Sequence, residues 1–468
     1  MIEFNPQQLT RLDLDRLTCY RTNLDFYKGI QWEYTARTRQ LVFNYAKVSI
    51  DKITSFLMQG FSFACYPKED TKEAKEKVIK AEQLLHQIYE DNNLQQLDWE
   101  TEVDTAILGD GCYKVFWDDE EKRIRVSSPD ISGIYAWWLG DDVAKVWRVC
   151  SRYTLTAEEA NILYNVQPTQ QTQRTQKTIN VTELWTAQTF QLWLDNEVLE
   201  DKPNPYGFIP FIIFPNLREP KQFWGTSDIR EIVQPQRELN RALSQLSKIL
   251  ELSGNPIAVL ENISSAEDIK VQPGAVWVIP EAAKAYLLDL LQGGGIRLHI
   301  DYIDLIYRCL HDISECPRAA YGGIEKELSG TALMIELGSL VQKVTRKRTI
   351  RTNAYHKRNE LILKLAEKYL HEDFSSLTHR VIWGPILPQD TQRAAQNEQL
   401  LVQSGIHSRR TAMDELGVQD PDTEFKRWLE ERATIRKQNI AFPTPSTRGG
   451  SKTRAFEEPT DEENLAKQ

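Results

Sequence analysis

Seven lysines and arginines fall within KVTRKRTIRTNAYHKR, Lys343 to Arg358, with no acid among them. Cations at this density either contact nucleic-acid phosphates or form a face that is solvated or paired with the acids of a packed partner. A second stretch, GGIEKELSGTALMIEL from Gly322 to Leu337, sets a Gly-Gly pair and three charges directly before a long helical pattern. The acids from Asp118 to Glu121 sit between two strand-like runs and read as a hairpin tip rather than a metal site. QGGGIR, Gln292 to Arg297, precedes a helix but lacks the strand-then-acid context of a dinucleotide site, so it reads as a hinge.

Other chemistry is missing. No Gly-x-x-x-x-Gly-Lys-Ser/Thr phosphate loop, no His-Glu-x-x-His and no Gly-x-Ser-x-Gly elbow occurs. The six cysteines include no Cys-x-x-Cys, which favours reduced structural thiols. Neither an enzyme, a cofactor nor a metal is therefore expected.

The elements that must position these groups follow from periodicity. Leu41, Tyr45, Val48, Phe56 and Leu57, with Gly60 just beyond, predict a buried helix within 35–60; further helices are predicted over Lys72 to Asn92 and Trp99 to Leu108. The period then changes. CYKVFW, RIRVSS, GIYAWW, AKVWRV, VTELWTA, FQLWL and FIPFIIF are short, aromatic and β-branched, so they read as strands; the polar QPTQQTQRTQKT, Gln167 to Thr178, reads as a surface loop among them. A helix of about 25 residues is expected after Thr226, with Asp228 and Glu231 as a capping box and Pro235 causing a kink or a delayed start. It ends at Ser253-Gly254, and a small insert with strand-like IAVL and AVWVI leads to a second helix, Ile296 to Ile313. Together these predict an antiparallel stalk with a separate tip.

From Ser329 the apolar positions Leu333, Leu337, Leu340, Val344, Ala354, Leu361 and Leu365 predict a helix of about 40 residues, roughly 60 Å long. HRVIWGPIL reads as a strand, and three short helices follow: one ending at Gly405, one capped by Ser408, one with Pro421 in its first turn. The segment 441–468 is rich in Pro, Gly, Ser, Thr and charge, and is expected to be disordered. The fold class is α+β.

At 468 residues the chain can bury a large core. Its 57 Lys plus Arg against 67 Asp plus Glu, a formal charge of −10, argue against tight whole-surface binding to nucleic acid. No apolar run is long enough to span a bilayer and the N-terminus lacks a signal-peptide layout, so no membrane association is expected.

The order of these pieces resembles the portal proteins of tailed bacteriophages, most of all those of long non-contractile-tail phages or prophages, over residues 30–440. NYAKVSIDKITSFLMQGFSF resembles the family's early helix, and AILGDGCYKVFWDDEEKRIRVSSPDISGIYAWW its aromatic strands around Gly-Asp-Gly. FIPFIIFPNLREPKQFWGTSDIREIVQPQRELNRALS is similar to its entrance to the first stem helix, SGTALMIEL to its loop-to-helix junction, and LLVQSGIHSRRTAMDELGVQDPDTEFKRWLEE to its C-terminal helices.

The resemblance implies a ring of twelve subunits at one capsid vertex, found in the virion and assembled in the host cytoplasm. It implies a wing (1–225, with a returning strand at 373–388), stem helices (226–253 and 294–315), a clip (254–293), a tunnel loop (316–328), a long helix to the wing (329–372), a crown (389–440) and a tail (441–468). Implied partners are double-stranded DNA without sequence specificity, the terminase large subunit, a head-completion adaptor, and the major capsid or scaffolding protein. Arg318, Tyr321, Gly322, Gly323, Glu325, Lys326 and Glu327 would belong to the loop facing DNA, whose mixed charge contacts phosphates without clamping them. Twelve copies of the basic helix would repel one another unless acids paired them, so Lys343, Arg346, Lys347, Arg348 and Arg351 are expected to form ion pairs between subunits. The alternative is a DNA-processing enzyme or accessory subunit that uses the basic helix 343–358.

Overall fold

The change of period after Leu108 is the main division of the larger unit. The computed structural model describes residues 4–32, 40–69, 71–164, 178–254, 258–261, 284–287, 295–322, 330–387, 391–418 and 421–441. They divide at Leu387 into two units. The first opens with helices Leu14–Tyr27 and Tyr45–Leu57, a strand Phe61–Pro67, and helices Lys72–Asp91 and Leu94–Leu108. Antiparallel sheets follow, which makes the fold α+β. The largest sheet described has five strands in chain order, from Ile134–Leu139 to Glu197–Pro203; a second, three-stranded sheet places Asp110–Asp118 between Arg123–Ser127 and Phe211–Pro215.

Alternation explains the second sheet. Tyr113, Val115, Ile212 and Phe214 project from it into one cluster with Tyr355, Ile362 and Ala366 of the long helix Gly338–Tyr369 and with Leu85 and Ile88 of Lys72–Asp91. Phe61–Pro67 pairs antiparallel with Leu377–Trp383, so the chain after the long helix returns to the first strand. That pairing closes where two glycines meet: the Gly384 N–H donates to Gly60 O, and a Cβ on Gly60, at φ +65°, would lie 2.8 Å from Gly384 Cα.

Several expectations need adjusting. The third helix begins at Leu94, not Trp99, and the strands Phe61–Pro67 and Glu197–Pro203 carry no clear signal. In EVLEDKP every residue is exposed, so no buried face imposes an alternation. The expected continuous helix after Ser329 is interrupted at Leu337, giving Gly330–Glu336 and Gly338–Tyr369, at the weak helix former Gly338. The stalk helices are Val233–Gly254, hereafter the outgoing helix, and Gly295–Ser314, the returning helix; they pack through Leu239, Ala242, Leu243, Ile303, Ile306 and Leu310. Between them, Ala258–Glu261 and Lys284–Leu287 pair antiparallel.

Pro235 delays the outgoing helix, which is preceded by a short 3-10 turn over Arg230–Ile232. Asp228 is no helix cap. The Ser227 hydroxyl accepts the Ile229 N–H, and the Asp228 carboxylate turns inward to Lys343 and Lys347. The Gln/Thr-rich segment up to residue 177, most of the insert 254–293, and residues 442–468 lie outside the described residues.

The second unit comprises three helices, Thr391–Gln403, Arg409–Glu415 and Pro421–Ala441. The Ser408 side chain caps the second by accepting the Thr411 N–H. Ala412 is its buried apolar residue among those described, while Leu400, Ile406, Leu416 and Leu429 are exposed.

Candidate functional site

The long helix carries its cations inward. Residues 340, 344, 347, 351, 355, 358, 362 and 365 recur every three or four positions and form its buried face, so Lys347, Arg351 and Arg358 occupy places where leucines would be expected. The facing helix Leu94–Leu108 does the same with acids: Asp98 and Glu102, four apart, are both buried. A buried charge must be paired and hydrogen-bonded, and here each is.

Arg351 clamps Glu102 with Nε and Nη2 at 2.7 and 2.8 Å and gives its other N–H groups to the carbonyls of Pro215 and Asn216 and to Asn216 Oδ1. Arg358 pairs with Asp98, which also accepts the Tyr113 hydroxyl at 2.8 Å, and stacks against Tyr89, Tyr113 and Tyr355. Arg348 has no carboxylate partner among the described ion pairs. It donates instead to the carbonyls of Phe56, Leu57 and Gln59 at the end of helix Tyr45–Leu57, and to Gly384 O. A cation there satisfies carbonyls that the helix leaves open. Burial, with only carbonyl partners, pushes its guanidinium down to about 10.

The root of the stalk is tied to this seam. Lys343 Nζ lies 3.0 Å from Asp228 Oδ1 and donates at 3.0 Å to Ser314 O, the last residue of the returning helix. Lys347 pairs with Asp228 and lies 3.7 Å from Glu102. One ammonium thus holds the segment leading into the outgoing helix and the end of the returning one. Burial alone would raise the Asp228 carboxyl; Lys343 and Lys347 outweigh it and hold it well below the usual carboxylate range. Burial lowers the Lys347 ammonium, opposed by Asp228 and Glu102.

The segment ahead of the long helix starts firmly anchored. Cys316 and Ala319 are buried, and the Tyr321 hydroxyl is hydrogen-bonded to Ser49 Oγ at 2.7 Å. Tyr321 and Tyr307 both meet the edge of buried His311, whose Nδ1 lies 2.8 Å from Cys316 O. Arg318 is exposed, with its guanidinium over the Tyr307 ring. Gly322, at φ +84°, ends this anchored turn. The expected tunnel loop 316–328 is therefore corrected for residues 318–321, which form an anchored turn whose apolar side chains join the core. Gly323, Glu325, Lys326 and Glu327 lie outside the described residues.

The ion pairs expected between subunits are corrected as well. Lys343, Lys347, Arg348 and Arg351 are buried inside one chain, and their partners are Asp228, Glu102 and backbone carbonyls of that same chain. Of the five residues assigned to an interface, Arg346 alone is exposed, and it pairs with Glu315. Asp98 and Glu102 carry no sequence signal of their own, and Asp228, expected as a helix cap, serves as a partner of Lys343 and Lys347 instead. The sequence signal for the buried cations is the apolar stripe that lapses between Val344 and Ala354 while Lys347 and Arg351 keep its spacing.

This arrangement holds elements together and offers no reacting group to a substrate. Among the described residues no group of three or more His, Cys, Asp or Glu could hold a metal ion, and no described helix is long and apolar enough to cross a membrane. Residues 8–438 match the family described as phage portal protein, SPP1 Gp6-like. The chain belongs to this family. A portal chain is a structural component of the phage capsid at the portal vertex, working as a homo-oligomer and not as an enzyme. No curated protein matches the chain.

Proposed function

We propose that the chain forms a twelve-membered ring at one capsid vertex and acts as the conduit through which double-stranded DNA enters and leaves, without reading its sequence. The observation that carries this reading is the portal family match over residues 8–438. The anchored turn Arg318–Tyr321 and Leu337, which is buried in one cluster with Cys316 and Ala319, support it: they flank in sequence the segment 323–329, whose Glu325, Lys326 and Glu327 would meet passing DNA. Mixed charge there suits transit, because each phosphate neutralised adds salt-sensitive affinity.

The tip 254–293 docks the terminase large subunit during packaging and the head-completion adaptor afterwards, and the larger unit contacts capsid or scaffolding protein during assembly in the host cytoplasm. The rival reading, a DNA-processing activity on the basic helix, loses the cations it relied on, since Lys343, Lys347, Arg351 and Arg358 are buried and paired. Electron microscopy of the purified chain tests the ring, with a central hole expected and compact monomers counting against it. Replacing 254–293 by a short Gly-Ser linker should leave rings that no longer bind terminase; retained binding would remove the docking assignment.

A further inference from the structure

The strand Phe211–Pro215 ends the three-stranded sheet, and one of its edges has no neighbour among the described strands. Register decides which groups that edge presents. Val115 N–H donates to Pro210 O and Asn216 N–H to Gly109 O, so Pro210, Ile212, Phe214 and Asn216 are the residues that bond toward Asp110–Asp118. The N–H and C=O groups of Phe211 and Ile213 therefore point the other way. Pro215, next in that alternate series, gives its carbonyl to Arg351 of the long helix, which shows where this edge faces. No described residue donates to or accepts from the Phe211 and Ile213 groups. Phe211 is buried and Ile213 half-buried, and backbone groups so placed are rarely left unpaired.

These groups open into a slot of about 660 Å³. Consecutive residues of the strand, Phe211 to Pro215, line its floor, as they do where a strand is met edge-on; a strand met face-on lines a cavity with every second residue. One wall is Val143 and Val146 of strand Asp142–Thr156, and the other is Ile350 and Leu361 of the long helix. All four are half-buried. Arg218 and Lys357 also line the slot, both exposed and neither with a carboxylate partner among the described residues. The lining acid Glu360 is taken by Lys364.

We infer that this slot takes an extended segment of a separate protein, a run of about four apolar residues flanked by acids, which adds to Phe211–Pro215 as a fourth strand. Phe211 and Ile213 supply two donors and two acceptors for its backbone, the apolar walls cover its side chains on both faces, and Arg218 with Lys357 meets its acids. An open sheet edge otherwise invites unselective pairing; recessed between two walls, this one admits only a narrow chain. A second copy is the poorer occupant, because neither outer strand of the five-stranded sheet fits. Glu197–Pro203 would bring Glu200 and Asp201 between apolar walls, while Ile134–Leu139 has Trp137 against Arg148 and Trp138 stacked on Phe223. The slot is complete in one chain, so the inference stands apart from the ring reading.

The test titrates the full chain with an end-blocked peptide, Glu-Asp-Val-Ile-Val-Val-Asp-Glu. Binding should saturate, and hydrogen exchange at the Phe211 and Ile213 amides should slow once the peptide is bound. Ile213→Pro removes one edge donor without touching the ladder to Asp110–Asp118, so it should weaken binding at least about tenfold at an unchanged unfolding midpoint. Lys357→Glu should weaken binding too, and Lys357→Arg should not. If Ile213→Pro does not fold, the wild-type chain decides: a peptide N-methylated on its four apolar residues keeps the side chains, loses the donors, and should bind at least about tenfold more weakly. No saturable binding by the wild type, equal binding by a folded Ile213→Pro chain, or equal binding of the methylated peptide overturns the inference. Self-association that Ile213→Pro abolishes overturns it as well, because the occupant would then be a second copy.

Discussion

The long helix and the stalk treat their surfaces in opposite ways. Gly338–Tyr369 hides five buried cations and satisfies them within the subunit, whereas Gly295–Ser314 leaves leucine, tyrosine and isoleucine facing outward. The first region is complete in one chain. The second leaves apolar side chains uncovered in the single chain. The energetics differ accordingly: buried ion pairs are costly to disrupt singly, while exposed apolar side chains gain free energy only when something covers them.

The largest effect should come from breaking the seam on one side. Arg351→Met leaves Glu102 buried without its clamp and should destabilise the fold by about 3–5 kcal/mol, read by chemical denaturation. Adding Glu102→Leu should restore much of this, because an apolar pair of similar volume avoids the desolvation of both ions. A single variant no less stable than the double would mean that the pair contributes little.

A second comparison sets two buried carboxylates side by side. Asp228 faces two ammonium groups and is held low, whereas Asp110 accepts the Tyr20 hydroxyl and the Gly225 N–H with no cation in hydrogen-bond contact, and burial pushes it up to about 6 despite those bonds. The signs then differ. The folded chain holds the Asp110 proton more tightly than the unfolded chain does, so this group favours folding below about pH 4 and loses that contribution as pH rises through about 6. Asp110→Asn should therefore stabilise the protein at pH 7, by up to about 3 kcal/mol, with the gain fading below pH 4. Asp228→Asn should do the reverse, costing stability at pH 7 and progressively less as pH falls through and below the carboxylate range. Parallel pH–stability profiles for the two variants would break the contrast.

The smallest effect belongs to the exposed side of the long helix. Arg346→Ala removes a half-exposed pair with Glu315 and should shift unfolding by less than about 1 kcal/mol. Arg351→Glu, by contrast, should yield unfolded chains rather than folded subunits unable to assemble. A folded, monomeric Arg351→Glu protein would return Arg351 to the subunit interface.

The sequence by itself determined most of the elements: the helix at Lys72–Asp91, the aromatic strands after Leu108, the stalk helices to within a few residues apart from the delayed start at Val233, and the Ser408 cap. These depend on local periodicity and on capping, which neighbouring residues fix. The order of those elements also carried the family. What only the tertiary structure decided was the destination of the charges. Asp98, Glu102, Asp228, Lys347 and Arg351 look like solvated side chains when read one helix at a time, because polarity alone implies exposure. They are buried because helices 249 residues apart in sequence, at Glu102 and Arg351, bring opposite charges to bonding distance in the core. Such complementarity is a property of the pair of surfaces and belongs to neither helix alone.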